Sequence, residues 1–355
     1  MNDDGLRLAL SRVGEDADAR AEIIRACQRF EQRPDRRFTT VRDDVTGPIV
    51  DALHANVPSV RKELQNGIAF EFHYRSKIAR DFVMSVPERP DHVWEPQTTK
   101  LLLRLAENAQ HVVIGGAYFG DQAVLVADRL RDRGLVHCFE PNADHAAMLG
   151  HNATINGLAN LRVNILGLWS DEQSRLRFVG EDALAGTVAA SPEDGGPTVP
   201  TTTVDAYLDR EHAGRLDLIM LDLEGAELEA LRGAHRRLSL PKGDAPSLVF
   251  EVHRSYVDWS NGLHQTDLLR YLASLGYTMF AVRDFQSNYD LSGRPIELVP
   301  AETAYLEGPP HGFNVLAVKD VTLIESDAFL IRPGVSPKLL LHRDPALHHP
   351  AGGLG

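Results

Sequence analysis

HVVIGGAYFG, residues 111–120, joins an apolar run to a turn with glycines at 115, 116 and 120. Consecutive Val112, Val113 and Ile114 read as a strand buried on both faces. The glycines let the backbone turn sharply and approach a ligand closely. DQAVLVADRLRDRG (121–134) follows, with apolar residues at helical spacing and a glycine stop. The stretch is therefore a strand, a glycine turn and a helix.

The same rhythm continues downstream. LVHCFEP is a second strand and NADHAAMLGHNATING a helix; LRVNILGLW is a third strand and RLRFVG a fourth extended piece. LDLIMLDLEG and SLVFEVH are strands separated by the helix AELEALRGAHRRL, and the helix QTDLLRYLASLGY follows. TMFAVRD and FNVLAVKD are late strands that pair at a sheet edge. Strands alternating with helices of this length predict an α/β, Rossmann-like fold, with a mostly parallel sheet covered on both faces. Residues 180–200, rich in Gly, Pro, Ala and acids, read as a mobile loop.

Upstream, residues 1–35 read as helical and IVDALHANVPSVRKELQNG as a further helix, with a short strand in IAFEFHY. The turn-rich SVPERPDHVWEPQ (85–97) marks a boundary. The organisation predicted is a mainly helical extension over 1–95, a catalytic domain over 96–320, and a Pro- and His-rich, partly disordered tail over 321–355. The extension serves either the acceptor pocket or a homodimer contact.

The chain has 355 residues and a formal net charge of −13. An acidic chain lacks the basic footprint of a nucleic-acid binder and is repelled by anionic membranes. No run of 18 apolar residues occurs, and the acidic start has no apolar run behind it, so neither a membrane span nor a signal peptide is expected. Cys27 and Cys138 are the only cysteines, which points to a reducing, cytoplasmic compartment without disulfides.

Open parallel sheets bind ligands at the carboxyl ends of their strands. The second strand ends in Phe139-Glu140-Pro141-Asn142, and Glu140 lies 20 residues after Gly120. That is the spacing of an acid that hydrogen-bonds ribose hydroxyls. A helix N-cap region is the competing reading for Glu140 and Asn142, and Pro141 near the first helical position fits both. Asp222 ends a strongly apolar strand, where an acid needs a partner or a ligand. Glu224 and Glu227 follow it, with dipole complementarity the expected role of Glu227. Glu251 and His253 share one face of the next strand. Two carboxylates and an imidazole at one rim suit proton removal by His253, and Asp222 and Glu251 suit a divalent cation such as Mg. A hydrogen-bonded rim without metal is the alternative. His311, before the last strand, is another histidine able to reach the cleft.

Together, CFEPNADHAAMLGHNATIN, TVPTTTVDAYL, LDLEGAELEALRGA and LVFEVH resemble the FkbM family of S-adenosylmethionine-dependent methyltransferases, over about His111 to Lys319. The resemblance implies a class I methyltransferase fold with a seven-stranded sheet. It implies a glycine turn, Gly115, Gly116, Ala117, Tyr118 and Gly120, that cradles the methionine part of S-adenosyl-L-methionine, with Glu140 on the ribose. Trp169 is placed to stack on a ligand or to sit in the core, and Asp171 to contact the adenine edge. O-methylation of a hydroxyl on a small sugar or natural-product acceptor is the reaction implied, with His253, Asp222 and Glu251 as catalytic residues. The family's acid and Asn in its first glycine pattern are missing here: Ile114-Gly115-Gly116-Ala117-Tyr118 stands in their place, and Asp121 is the neighbouring candidate to replace the acid. This departure motivates the rival of a non-catalytic binding protein on a degenerate methyltransferase fold. A nicotinamide-dependent oxidoreductase is disfavoured, because position 118 is Tyr rather than the Gly of the dinucleotide fingerprint.

Overall fold

The computed structural model describes residues 3–33, 41–179, 186–190, 196–306 and 312–339. The N-terminal part comprises helices α1 (Asp3–Gly14), α2 (Ala17–Glu31) and α3 (Gly47–His54), the strands β1 (Val60–Glu63) and β2 (Ala69–Phe72), and helix α4 (Lys77–Val83). Asp16 caps α2 by accepting the N–H groups of Asp18 and Ala19, and Ser76 caps α4 through the N–H of Ala79. The sequence reading ran a helix through VRKELQNG. Instead, α3 ends at His54 and Val60–Glu63 pairs antiparallel with β2 in a hairpin. Lys62 and Glu63 are good helix formers, but the cross-strand ladder to Ala69–Phe72 overrides that preference.

The domain that follows contains α5 (Pro96–Leu105), β3 (His111–Gly115), α6 (Ala123–Leu130), β4 (Leu135–Phe139), α7 (Ala143–Ile155), β5 (Leu161–Asn164), β6 (Gly167–Leu168), β7 (Arg175–Val179), β8 (Gly186–Ala189) and β9 (Val199–Thr202). It continues with α8 (Val204–Arg210), β10 (Leu216–Leu221), α9 (Glu227–Arg232), α10 (His235–Leu238), β11 (Ser247–Val252), α11 (Asp267–Ser274), β12 (Thr278–Val282), β13 (Ile296–Pro300), β14 (Phe313–Val318) and β15 (Phe329–Ile331).

The main sheet has the order β15-β13-β12-β14-β11-β10-β3-β4-β5. Strands β5, β4, β3, β10 and β11 run parallel, and β14 is inserted antiparallel between β11 and β12. Counting from β3, these seven strands have the order third, second, first, fourth, fifth, seventh, sixth, with the seventh reversed. The chain leaves β3 toward β4 and later returns on its other side as β10. The crevice beyond the carboxyl ends of β3 and β10 is thus the switch point where such sheets bind ligands.

Two expectations are corrected. The sheet has nine strands rather than seven, because β13 pairs with β12 and β15 adds to β13. The second correction concerns 180–200, expected as a loop: its described residues include β8 and β9, which join β6 and β7 in a small separate sheet. Residues 180–185 and 191–195 lie outside the described residues. Much of the described tail is also ordered against the core. Leu339 donates to the carbonyl of Asp284 and Asp284 to that of Pro337, and Ser336 and Lys338 are buried. Its remainder, 340–355, is outside the described residues.

Cys27 and Cys138 are both buried free thiols. Among the described residues, no helix is long and apolar enough to cross a membrane.

Candidate active site

The glycine turn is stitched between two strand ends. Gly116 donates to the carbonyl of Phe139, at the end of β4, and Asp222, just past β10, donates to the carbonyl of Gly115. Gly116 has φ +74, and a Cβ there would lie 1.8 Å from the carbonyl oxygen of Asp222. Only glycine meets both demands. Tyr118 also occupies the left-handed region, at φ 45, where Asn is the commoner non-glycine residue. It is held there by its N–H, which donates to Glu140 Oε2 at 2.9 Å, and by its hydroxyl, which donates to Ser76 Oγ at 3.2 Å. His145 packs edge-on to its ring at 4.6 Å.

Glu140 is buried, and its Oε1 accepts the N–H of Asn142 at 2.8 Å. The N-cap role belongs to Asn142, whose side chain accepts the N–H groups of Asp144 and His145. Glu140 therefore fixes the glycine turn while facing the crevice; each carboxylate oxygen keeps a further lone pair for a ligand.

The crevice is lined by Ile78 and Trp94 from the N-terminal side, Gly116–Tyr118, Asp121–Ala123, Glu140–Asn142, His145, Phe178, Thr187, Met220 and Asp222–Glu224. It encloses about 840 Å³ of empty space, its open mouth included, within the range of small-molecule sites. No Lys or Arg occurs among these lining residues, whereas Asp121, Glu140, Asp222 and Glu224 do.

Burial pushes Asp121 up to about 7. Burial, then the neighbouring Glu224 and Glu227, holds Asp222 well above the usual carboxylate range. Glu251 is raised by burial and by Asp222, Glu224 and Glu95. Glu227 rises to about 7 through burial, while its carboxylate accepts the N–H groups of Leu223 and Gly225 and closes the turn into α9. Carboxylates that raise one another in this way are stabilised by a bound positive charge.

The structure brings Asp222 and Glu251 together, with Glu224 as the third member; one oxygen from each lies within 4.8 Å of the others. His253 is placed differently. Its Nδ1 accepts the N–H of Ser255 at 3.0 Å, so the neutral ring carries its proton on Nε2. It is not among the residues lining the crevice. Trp169 and Asp171 are not there either. Trp169 donates its backbone N–H to Thr202 beside the small sheet. Asp171 closes a turn by accepting the N–H groups of Gln173 and Ser174, which lowers its pKa. His311 lies outside the described residues.

Several neighbours of the site escaped sequence reasoning. Phe178 and Thr187 come from the small sheet, for which no strand–helix rhythm gives a signal. Glu95 is fully buried in the WEP segment before α5, with φ 48. Its Oε2 accepts from Asn314 at 2.8 Å and from Gln122 at 3.4 Å. Burial, then Asp284 and Asp222, raises its pKa well above the usual range. The only signal was an acid immediately before a helix-starting proline, in place of the usual Ser, Thr, Asp or Asn cap.

A sheet of this strand order, with a glycine turn and a buried acid after its first and second strands at the switch point, defines a class I methyltransferase domain. Residues 115–279 match the model of the methyltransferase FkbM domain. Among solved structures, the chain is similar to the O-methyltransferase TomG from Streptomyces achromogenes, involved in tomaymycin synthesis and in complex with SAM (14% identity, 69% of this chain and 91% of that one, TM-score 0.37). It is also similar to an O-methyltransferase from Bacillus cereus in complex with SAH (14%, 65% and 84%, TM-score 0.36). An rRNA methylase from Streptococcus thermophilus is similar at the same level (13%, 62% and 93%, TM-score 0.34). No curated protein matches the chain.

Proposed function

We propose that this protein binds S-adenosylmethionine in the crevice beyond β3, β4 and β10 and methylates a hydroxyl of a small-molecule acceptor. The observation that carries this reading is a nucleoside-sized crevice lined by Asp121, Glu140, Asp222 and Glu224 without one Lys or Arg. Such a lining favours a ligand that is itself cationic. The cofactor supplies a methyl group already activated on a positively charged sulfur. Glu140 offers its free lone pairs to the ribose, the backbone around Gly116 admits the amino-acid part, and Asp121 and Asp222 face the positive charges. The lack of cations around the crevice and the net charge of −13 disfavour a nucleic-acid acceptor.

An alcohol is a poor nucleophile until its proton leaves. Asp222 and Glu224 line the crevice and stand beside Glu251, and this carboxylate group is the base of the reading; His253, with its Nδ1 lone pair engaged by Ser255 and outside the crevice lining, is not. This refines the sequence reading, which gave the base to His253. The clustering of three carboxylate oxygens supports a second reading, in which Asp222, Glu224 and Glu251 hold a divalent cation such as Mg.

Calorimetric titration with S-adenosylmethionine and S-adenosylhomocysteine, with and without magnesium, tests both. Binding at roughly micromolar Kd is expected. No binding under either condition overturns the reading in favour of a degenerate fold. With a panel of hydroxylated acceptors, Glu251→Gln is expected to lower turnover about 100-fold or more and His253→Ala far less. The reverse order would return the base to His253, and loss of turnover on chelation would favour the metal.

A further inference from the structure

The N-terminal part holds a second pocket, separate in its lining from the crevice. It lies between one face of α2, strand β1 and the segment that follows α4, and encloses about 1120 Å³ of empty space, its open mouth included. Ala17 and Ala21 make room along the α2 face, on which Arg20 and Arg25 also sit; β1 contributes Arg61 and Lys62, and Arg89 comes from the far side. Five Lys and Arg side chains thus meet two acids, Glu63 and Glu88, in a chain that is strongly acidic overall.

The acids do not neutralise this set. Glu63 is taken by Arg89 at 3.0 Å. Arg25 has no ion-pair partner among the described residues; Arg61 stands opposite Glu71 across the β1–β2 ladder, but that carboxylate is hydrogen-bonded to Ser59 and His151; and the guanidinium of Arg20 donates to the carbonyl of Gly14. Lys62 Nζ donates to the carbonyl of Val83 at 3.1 Å and lies 5.3 Å from the ring of Phe82. A lysine half-buried against an aromatic ring has a desolvation cost that one carbonyl hydrogen bond, the ring and the charge of Glu88 offset only in part, since its pKa stays lowered.

We propose that this pocket binds the phosphate group of a small molecule, held by Arg25, Arg61 and Lys62. Phosphate fits better than a single carboxylate because it brings about −1.5 to −2 charge and several acceptor oxygens to one centre, and guanidinium forks pair with it bidentately. A polyanion such as RNA would also have to approach against the field of the whole acidic chain. The proton balance agrees. Burial lowers Lys62 to about 7, with Arg42 adding to the effect and Glu88 opposing it. A bound anion restores the charged form, so binding takes up a proton above neutral pH.

The full-length chain should be titrated at low salt with pyrophosphate and inorganic phosphate, by calorimetry and phosphorus NMR. Saturable binding is expected. Arg25→Ala or Arg61→Ala, both at exposed positions that leave the fold intact, should each weaken it roughly tenfold, while Arg12→Ala on α1 leaves it unchanged. Proton uptake near pH 8, measured in buffers of different ionisation enthalpy, should disappear in Lys62→Met. The proposal is overturned by absence of saturable binding at roughly millimolar ligand, by insensitivity to Arg25 and Arg61, by equal or tighter binding of succinate or citrate, or by binding of an RNA oligonucleotide where pyrophosphate fails.

Discussion

Asn314 on the reversed strand β14 donates a 2.8 Å hydrogen bond to Glu95, which lies 219 residues earlier and immediately precedes α5. Asn314 also faces Glu251 in direct register across β11 and β14. One amide therefore ties the entry of the domain to the strand that carries the carboxylate cluster. Since burial and the nearby Asp284 and Asp222 keep Glu95 protonated well above the ordinary range, its role as an acceptor survives conversion to an amide. Glu95→Gln is expected to change stability by no more than about 1 kcal/mol, whereas Glu95→Ala leaves the Gln122 amide without its acceptor and Asn314 with only its 3.2 Å bond to Thr98, and costs about 1–3 kcal/mol. Denaturant melts measure both. Equal losses would mean that Glu95 is ionised in the folded protein.

Gly116 makes a sharper test of the crevice. A methyl group there meets the carbonyl oxygen of Asp222 at 1.8 Å on a backbone at φ +74. Gly157 has a similar φ, +65, but no atom within 4 Å of the added carbon. Gly157→Ala should therefore cost only the left-handed penalty of about 1–2 kcal/mol. Gly116→Ala adds the displacement of β10 from β3 and should exceed ~3 kcal/mol, with loss of ligand binding. Similar melting temperatures for the two variants would show that the strand ends are not packed this closely.

The contrast between these sites explains what the sequence made legible. Val112–Ile114, Leu218–Leu221 and Leu248–Phe250 are buried on both faces, so they write themselves as apolar runs, and the acids that end or follow such runs stand out. Asp222, Glu251 and Glu140 stand out in this way; Asp222 and Glu140 line the crevice and Glu251 lies beside Asp222. Glu95 and Asn314 are joined by tertiary packing alone and carry no local pattern. Strands β13 and β15 extend an edge, where pairing with a neighbour decides the outcome more than composition does. For Asp171 the motif position suggests a ligand contact, and for Trp169 a ligand or a core position; neither lines the crevice, because the chain there turns aside into the small sheet. His253 shares the face of Glu251 by strand alternation, but a local bond from Ser255, two residues on, fixes its ring.

Stability without ligand should fall as pH rises from about 5 to about 7. Asp121 and Glu227 have folded pKa values of about 7, above their ordinary 3.8 and 4.5. The folded state thus binds more protons than the unfolded chain in that window, and the stabilisation present below the ordinary values is lost as pH climbs through the folded ones. Asp222, Glu251 and Glu95 are shifted in the same direction. Lys62, lowered to about 7 from 10.5, acts oppositely above that window; within it His137, lowered to about 4 by burial, and His54 and His111, lowered likewise by burial, oppose the five carboxylates without outnumbering them. Melting temperatures at a series of pH values should show a decline that flattens in Asp121→Asn and Glu227→Gln. A melting temperature that rises across the window would refute the raised values.

Asp121 is the acid nearest in sequence to the place where the FkbM pattern has lost its own, and the structure puts it on the crevice wall beside the glycine turn. If it takes over the amino group of the cofactor, Asp121→Asn should weaken S-adenosylmethionine and S-adenosylhomocysteine equally, about tenfold, because both carry that group. Methylthioadenosine, which lacks the amino-acid part, should bind the variant as well as it binds the unmodified protein. Asp222→Asn provides the contrast: an acid facing the sulfonium weakens S-adenosylmethionine more than its uncharged product. Calorimetry of the three ligands against the two variants separates the roles. Equal loss of all three ligands in Asp121→Asn would assign that residue to shaping the turn rather than to reading the amino group.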